Sequence, residues 1–119
     1  MHIDVTAVSL FSYGTLRQPE VQIGTFGRLL DGQEDMLCGY VLRPLQITDQ
    51  RVIGLSGADV HFIACKTSNI GDEVPGIAFE ITEAELAAAD DYEVDVYRRE
   101  EVRLRSGRRA FVYVGPPEP

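Results

Sequence analysis

Residues 74 to 86 read Val-Pro-Gly-Ile-Ala-Phe-Glu-Ile-Thr-Glu-Ala-Glu-Leu and contain a strand, a cap and a helix start in immediate succession. From Ile77 to Ile81 apolar residues fall on alternate positions, the period of a strand with one buried face. Thr82 then offers its hydroxyl to a helix N-terminus, and Glu85, three residues on, completes a capping box. Ile81 and Leu86 take the two positions of a hydrophobic staple around that cap. The helix from Glu83 to about Asp90 is short, and Asp90-Asp91-Tyr92-Glu93 marks its end.

Downstream, Tyr97 to Arg105 and Arg109 to Val114 form two candidate strands. Ser106-Gly107 lies between them, with glycine available for a positive φ, and predicts a β-hairpin. Upstream, Val5 to Phe11 is a partly β-branched apolar run and reads as the first strand. It ends in Ser12-Tyr13-Gly14-Thr15-Leu16, after which Arg17-Gln18-Pro19-Glu20 reads as a helix entrance with Pro19 in the first turn. Gly24 and Gly27 limit that helix to about two turns. Met36 to Leu42 reads as a second strand. Residues 43 to 71 are the least legible: a turn at Asp49-Gln50 between Gln46–Thr48 and Arg51–Ile53, then a strand from Val60 to Ala64. Strands predominate over two short helices, so the fold class is α+β.

At 119 residues, with 45% hydrophobic and 25% charged, the chain fits a single globular domain, 1–119, with 115–119 as a loose tail. The formal charge of −8 argues against a nucleic-acid partner, which needs a basic surface. The late arginines, Arg98, Arg99, Arg103, Arg105, Arg108 and Arg109, are interrupted by Glu100 and Glu101 and read as a solvated hairpin. No secretory signal and no membrane-length apolar run is present, so a cytoplasmic location is expected, with Cys38 and Cys65 as free thiols. His2 and His61 are far apart and outside any Cys/His cluster, so no metal is expected. Gly54-Leu55-Ser56-Gly57 fails as a nucleophile elbow, because Ala58 stands where that motif needs glycine.

Three pieces resemble the gamma-glutamylcyclotransferase (AIG2-like) family. Phe11-Ser12-Tyr13-Gly14-Thr15-Leu16 is similar to its strand-ending Tyr-Gly-Ser/Thr-Leu loop. Val74 to Ile81 is similar to its Val-x-Gly strand. Asp91-Tyr92-Glu93 with Tyr97-Arg98-Arg99 is similar to its Asp-x-Tyr-Glu and Tyr-x-Arg elements, and Leu37-Cys38-Gly39-Tyr40 to its second-strand Gly-Tyr. The likeness runs from residue 9 to 114. Ala88-Ala89-Asp90-Asp91 departs from the Leu that the family often carries before the Asp, a difference of packing more than chemistry.

The resemblance implies a small, mixed, mostly antiparallel β-barrel with short flanking helices and a cavity at one end. It implies release of 5-oxoproline and a free amine or amino acid from a gamma-glutamyl amide, without cofactor. The Tyr13, Gly14, Thr15 and Leu16 loop would grip the glutamyl α-carboxylate through backbone N–H groups, and Glu93 would be the acid/base. Tyr97 and Arg99 would lie near the cavity, either as substrate-binding positions or as braces of the barrel. A non-catalytic small-ligand or partner-binding module on the same fold is the alternative, and a homodimer stays open on general grounds.

Overall fold

A computed structural model of the chain describes residues 7–46, 48–57, 60–93 and 97–118. Seven strands form one curled, mostly antiparallel sheet: β1 (Ala7–Ser12), β2 (Gly32–Cys38), β3 (Tyr40–Gln46), β4 (Val60–Lys66), β5 (Glu73–Thr82), β6 (Arg98–Arg103) and β7 (Arg109–Val114). Three helices accompany them: α1 (Pro19–Phe26), α2 (Gln50–Ser56) and α3 (Glu83–Tyr92). Along the sheet the order is β2-β5-β1-β7-β4-β3, with β6 paired to β7. The β1–β7 and β4–β7 pairings are parallel, and the other pairings are antiparallel.

Strand alternation divides the buried side chains between two cores. Leu10, Phe79, Ile81 and Tyr113 pack with Val21, Val52, Leu86 and Ala89 of the helices. Their chain neighbours Phe11, Ala78, Val112 and Val114 join Leu37, Tyr40 and Ala64 in the second core. Both faces of β1 are therefore covered, which is why residues 10 and 11 are consecutive large apolar side chains.

The run from Met36 to Leu42, expected to be one strand, is two. Gly39 interrupts it with φ 81°, a conformation that side-chain-bearing residues adopt only under strain. Its N–H donates to Asp72 O at 2.6 Å, and its O accepts from Thr67 N at 2.8 Å. The strands on either side of Gly39 stand at opposite ends of the sheet order, so a one-residue corner obliges the sheet to curl.

The stretch around Asp49-Gln50, expected to be a turn between extended pieces, is the start of α2. Asp49 caps this helix by accepting from Arg51 N, and Gly57 closes it at φ 74°. Val52 and Ile53 favour strands by propensity, but burial of Val52 against the other helices outweighs that preference. The capping box expected on α3 is present in both directions, Thr82 to Glu85 and back. The expected first strand is β1, with its residues 5 and 6 outside the described segments, as is Ile47 of the expected 46–48 piece. The stretch read as a loose tail is bonded along β4. Gly115 N donates to Ala64 O and Glu118 N to Lys66 O, and the Glu118 carboxylate pairs with Arg43.

No helix among the described residues is long and apolar enough to cross a membrane. Four of the late arginines are paired with carboxylates: Arg98 with Glu100, Arg99 with Asp90, Arg105 with Glu73 and Arg109 with Glu101.

Replacing Gly39 by Ala leaves the corner in place at the cost of a left-handed alanine. Denaturant unfolding is expected to show a loss of about 1–2 kcal/mol.

Candidate active site

The loop after β1 is built around the Tyr13 hydroxyl. That hydroxyl donates to Tyr113 O of β7 at 2.5 Å and accepts from Ala64 N of β4 at 3.0 Å. The side chain is thereby buried, and its phenol is held far above its usual titration range, mainly by desolvation. Beyond it the backbone makes a single 3-10 turn, with Arg17 N donating to Gly14 O and Gln18 N to Thr15 O. Thr15 and Leu16 are the first residues of that turn, so their N–H groups have no acceptor within it. Leu16 is 2% exposed and anchors the turn in the core.

A cavity of about 520 Å³ opens beside this loop. Residues 11–19 line it together with Val60, His61 and Phe62 of β4, Ile77 of β5, and Glu93, Tyr97 and Tyr113. Gly14 is notable for what it does not touch. A Cβ built there meets nothing within 4 Å, so no packing contact requires glycine. The missing side chain simply leaves the cavity wall open.

Three carboxylates end α3, where the helix dipole disfavours negative charge. Asp90 is bonded to Arg99 at 2.5 Å and accepts from the Tyr113 hydroxyl at 2.7 Å. Asp91 faces Arg51 at 3.5 Å. Glu93 caps the helix, its N–H donating to Ala89 O, and its carboxylate has no ion-pair or hydrogen-bond partner among the described residues. It is only partly open to the cavity, and desolvation pushes its pKa from 4.5 up to about 8. Its charge in turn acts on Tyr13, Tyr92, Tyr97 and Tyr113, four of the chain's five tyrosines, which are also raised by burial.

The residues read from the sequence thus fall into two groups. Tyr13, Gly14, Thr15, Leu16, Glu93 and Tyr97 converge on one cavity. Arg99 does not line it: its guanidinium bonds Asp90 and stacks 5.2 Å from the centre of the Phe111 ring, tying α3 to the sheet. Tyr97 donates its hydroxyl to Phe62 O at 2.8 Å, joining β4 to the segment after α3.

Sequence reasoning missed a connection between the loop and the glutamate. Thr15 Oγ1 and the Tyr92 hydroxyl lie 2.5 Å apart, so the residue before Glu93 is hydrogen-bonded to the glycine loop. Ser56 of α2 bonds both Tyr92 and His61, the latter at 3.2 Å. Of these, only the Ser56–His61 pair, five residues apart in sequence, is visible as a local pattern. Among the described residues no group of three or more His, Cys, Asp or Glu is arranged to hold a metal ion.

Comparison with known proteins bears on this geometry. A family model described as gamma-glutamyl cyclotransferase, AIG2-like matches residues 10–119. A solved gamma-glutamyl cyclotransferase superposes with a TM-score of 0.71 at 16% identity, covering 94% of this chain and 68% of that one. The Arabidopsis thaliana protein At3g28950.1, solved in solution, gives a TM-score of 0.68 at 21% identity, over 97% of this chain and 66% of that one. An uncharacterized protein of Pyrococcus horikoshii, PH0828, gives 0.59 at 20% identity, over 94% of this chain and 80% of that one. These likenesses show a shared fold, and the chain spans about two thirds of the length of the first two. A search of the curated proteins found no match.

The raised Glu93 carboxyl links folding to pH. Between its ordinary 4.5 and about 8 the folded state holds a proton that the unfolded state has lost. The stability it confers is full at the acid end and is lost as pH rises through about 8. Glu93→Gln removes this dependence. Its melting temperature is expected to gain on the wild type between pH 5 and about pH 8 in thermal scans, and to keep a constant lead above that.

Proposed function

The chain belongs to the gamma-glutamyl cyclotransferase, AIG2-like family, and we propose that it is a cyclotransferase-type enzyme converting a gamma-glutamyl amide to 5-oxoproline and a free amine. The observation that carries this reading is Glu93. Of three carboxylates ending α3, it alone has no counter-charge among the described residues, and it lines the same cavity as the glycine loop.

A carboxylate so placed is suited to one task. The substrate's α-ammonium cannot attack until it loses a proton, and Glu93 takes that proton. The freed nitrogen then bonds to the gamma-carbonyl carbon of the same molecule, closing a five-membered ring, and the carbon–nitrogen bond to the leaving amine breaks. Glu93 returns the proton to the departing nitrogen. The second proton shed by the cyclised nitrogen follows the same route, so the amine leaves as ammonium and the protein ends as it began.

The amides of Thr15 and Leu16 hold the α-carboxylate, and the open wall at Gly14 admits it. Acid–base help of this kind contributes about 10²–10⁴ in rate. Holding the substrate curled for attack adds an orientation effect that reaches ~7–11 kcal/mol in the most favourable systems. The arriving ammonium favours the ionised form of Glu93, opposing the burial that raises it.

Mass spectrometry for 5-oxoproline, with a panel of gamma-glutamyl amino acids and gamma-glutamylamines, tests the reading. Wild type is expected to turn over and Glu93→Gln to lose about 10²-fold or more in kcat. Because the base form is required, kcat/KM is expected to climb as pH rises through about 8, the range in which free Glu93 ionises. Gly14→Ala is expected to keep its unfolding free energy within about 0.5 kcal/mol while kcat/KM falls, since the added methyl meets substrate and not protein. Binding of glutamate-like ligands without any 5-oxoproline would assign the chain to the non-catalytic class instead.

A further inference from the structure

The glutamyl half of the substrate is common to the whole reaction class, whereas the leaving amine depends on the mouth of the cavity. Arg17, Gln18 and Pro19 line it on the loop side, and Val60 and Phe62 line it from β4. Val60 and Phe62 are 47% and 52% exposed, large apolar side chains left half-covered at the rim of a cavity.

Arg17 is the sole Lys or Arg among the cavity's described lining residues. Its Nε–H donates to Gly14 O at 3.1 Å, which fixes the guanidinium against the loop. The rest of that guanidinium faces no carboxylate among the described residues, whereas Arg28, Arg51, Arg98 and Arg99 each have one. In a chain of 19 acidic residues and net charge −8, an arginine held in place and left unpaired beside a cavity is a ready anion receptor. The loop amides already provide donors for the glutamyl α-carboxylate, and Arg17 lies further out, exposed to solvent.

We propose that Arg17 receives a carboxylate carried by the leaving amine while Val60 and Phe62 take its apolar side chain. The preferred substrates are then gamma-glutamyl conjugates of bulky apolar amino acids, not of simple amines. This rests on the cyclotransferase reading above.

The test compares gamma-glutamyl-phenylalanine with gamma-glutamyl-phenethylamine, which differ only in the carboxylate, for wild type, Arg17→Met and Arg17→Lys. Wild type is expected to favour the phenylalanine conjugate by about 10- to 100-fold in kcat/KM, the scale of a charge-assisted hydrogen bond. Arg17→Met is expected to bring the ratio to near one, and Arg17→Lys to an intermediate value. General damage to the loop lowers both conjugates alike and cancels in the ratio. A wild-type ratio near one overturns the proposal, as does a preference that survives Arg17→Met. An equal fall for both conjugates leaves the ratio as it was in the wild type and also overturns it. Turnover of other gamma-glutamyl compounds but of neither conjugate overturns this inference alone. Silence toward every gamma-glutamyl compound overturns the cyclotransferase reading, and this inference with it.

Discussion

The Tyr13 hydroxyl bonds two strands that would otherwise share little. Between β1 and β7 the recorded pairing is Leu10 with Phe111, and between β4 and β7 it is Ala64 with Val114. Tyr13 spans this seam, donating to one strand and accepting from the other. A buried phenol with donor and acceptor both satisfied fixes its surroundings closely, because either group left unpaired would be costly. The glycine turn above it inherits that rigidity. The cavity opens beside that turn, with Tyr113 of β7 and Val60, His61 and Phe62 of β4 in its lining.

Against this braced wall, the end of α3 carries an electrostatic defect. A helix C-terminus with three acidic residues and no basic residue in its last turn violates dipole preference. Arg99 and Arg51 repair two of the three sites. Leaving the third unrepaired costs stability at neutral and basic pH, and the pattern suits a group that must exchange protons and not hold a fixed charge. The Thr15–Tyr92 hydrogen bond ties this group's own helix to the glycine loop.

The parts of this arrangement legible in the sequence are those with local chemistry. Thr82 and Glu85 announce α3 because capping is a contact between residues three apart, and Ser106-Gly107 announces a hairpin for the same reason. Glu93 and the Tyr13–Leu16 loop were visible only through their likeness to a family, since one carboxylate among many carries no signature of its own. Gly39 hid in an apolar run because a positive φ leaves no trace beyond the glycine itself. Helix α2 hid behind Val52 and Ile53, whose strand preference was outweighed by burial. Arg99 matched a motif position, yet its neighbours Asp90 and Phe111 come from other elements, and no spacing rule could have placed them beside it.

The position of β7 has a bearing on how the protein is made. Remove that strand and the sheet separates into a three-stranded piece, β2-β5-β1, and a two-stranded piece, β4-β3, joined at Gly39, while β6 loses the strand it pairs with. A ribosome adding ~5–20 residues per second produces β7 after every other strand, so for seconds the inner edges of β1 and β4 stay unpaired. Open edges of this kind template pairing with other chains. The domain therefore completes its sheet after nearly all of its strands have been synthesised, and a nascent chain short of residue 109 is a natural client for chaperones.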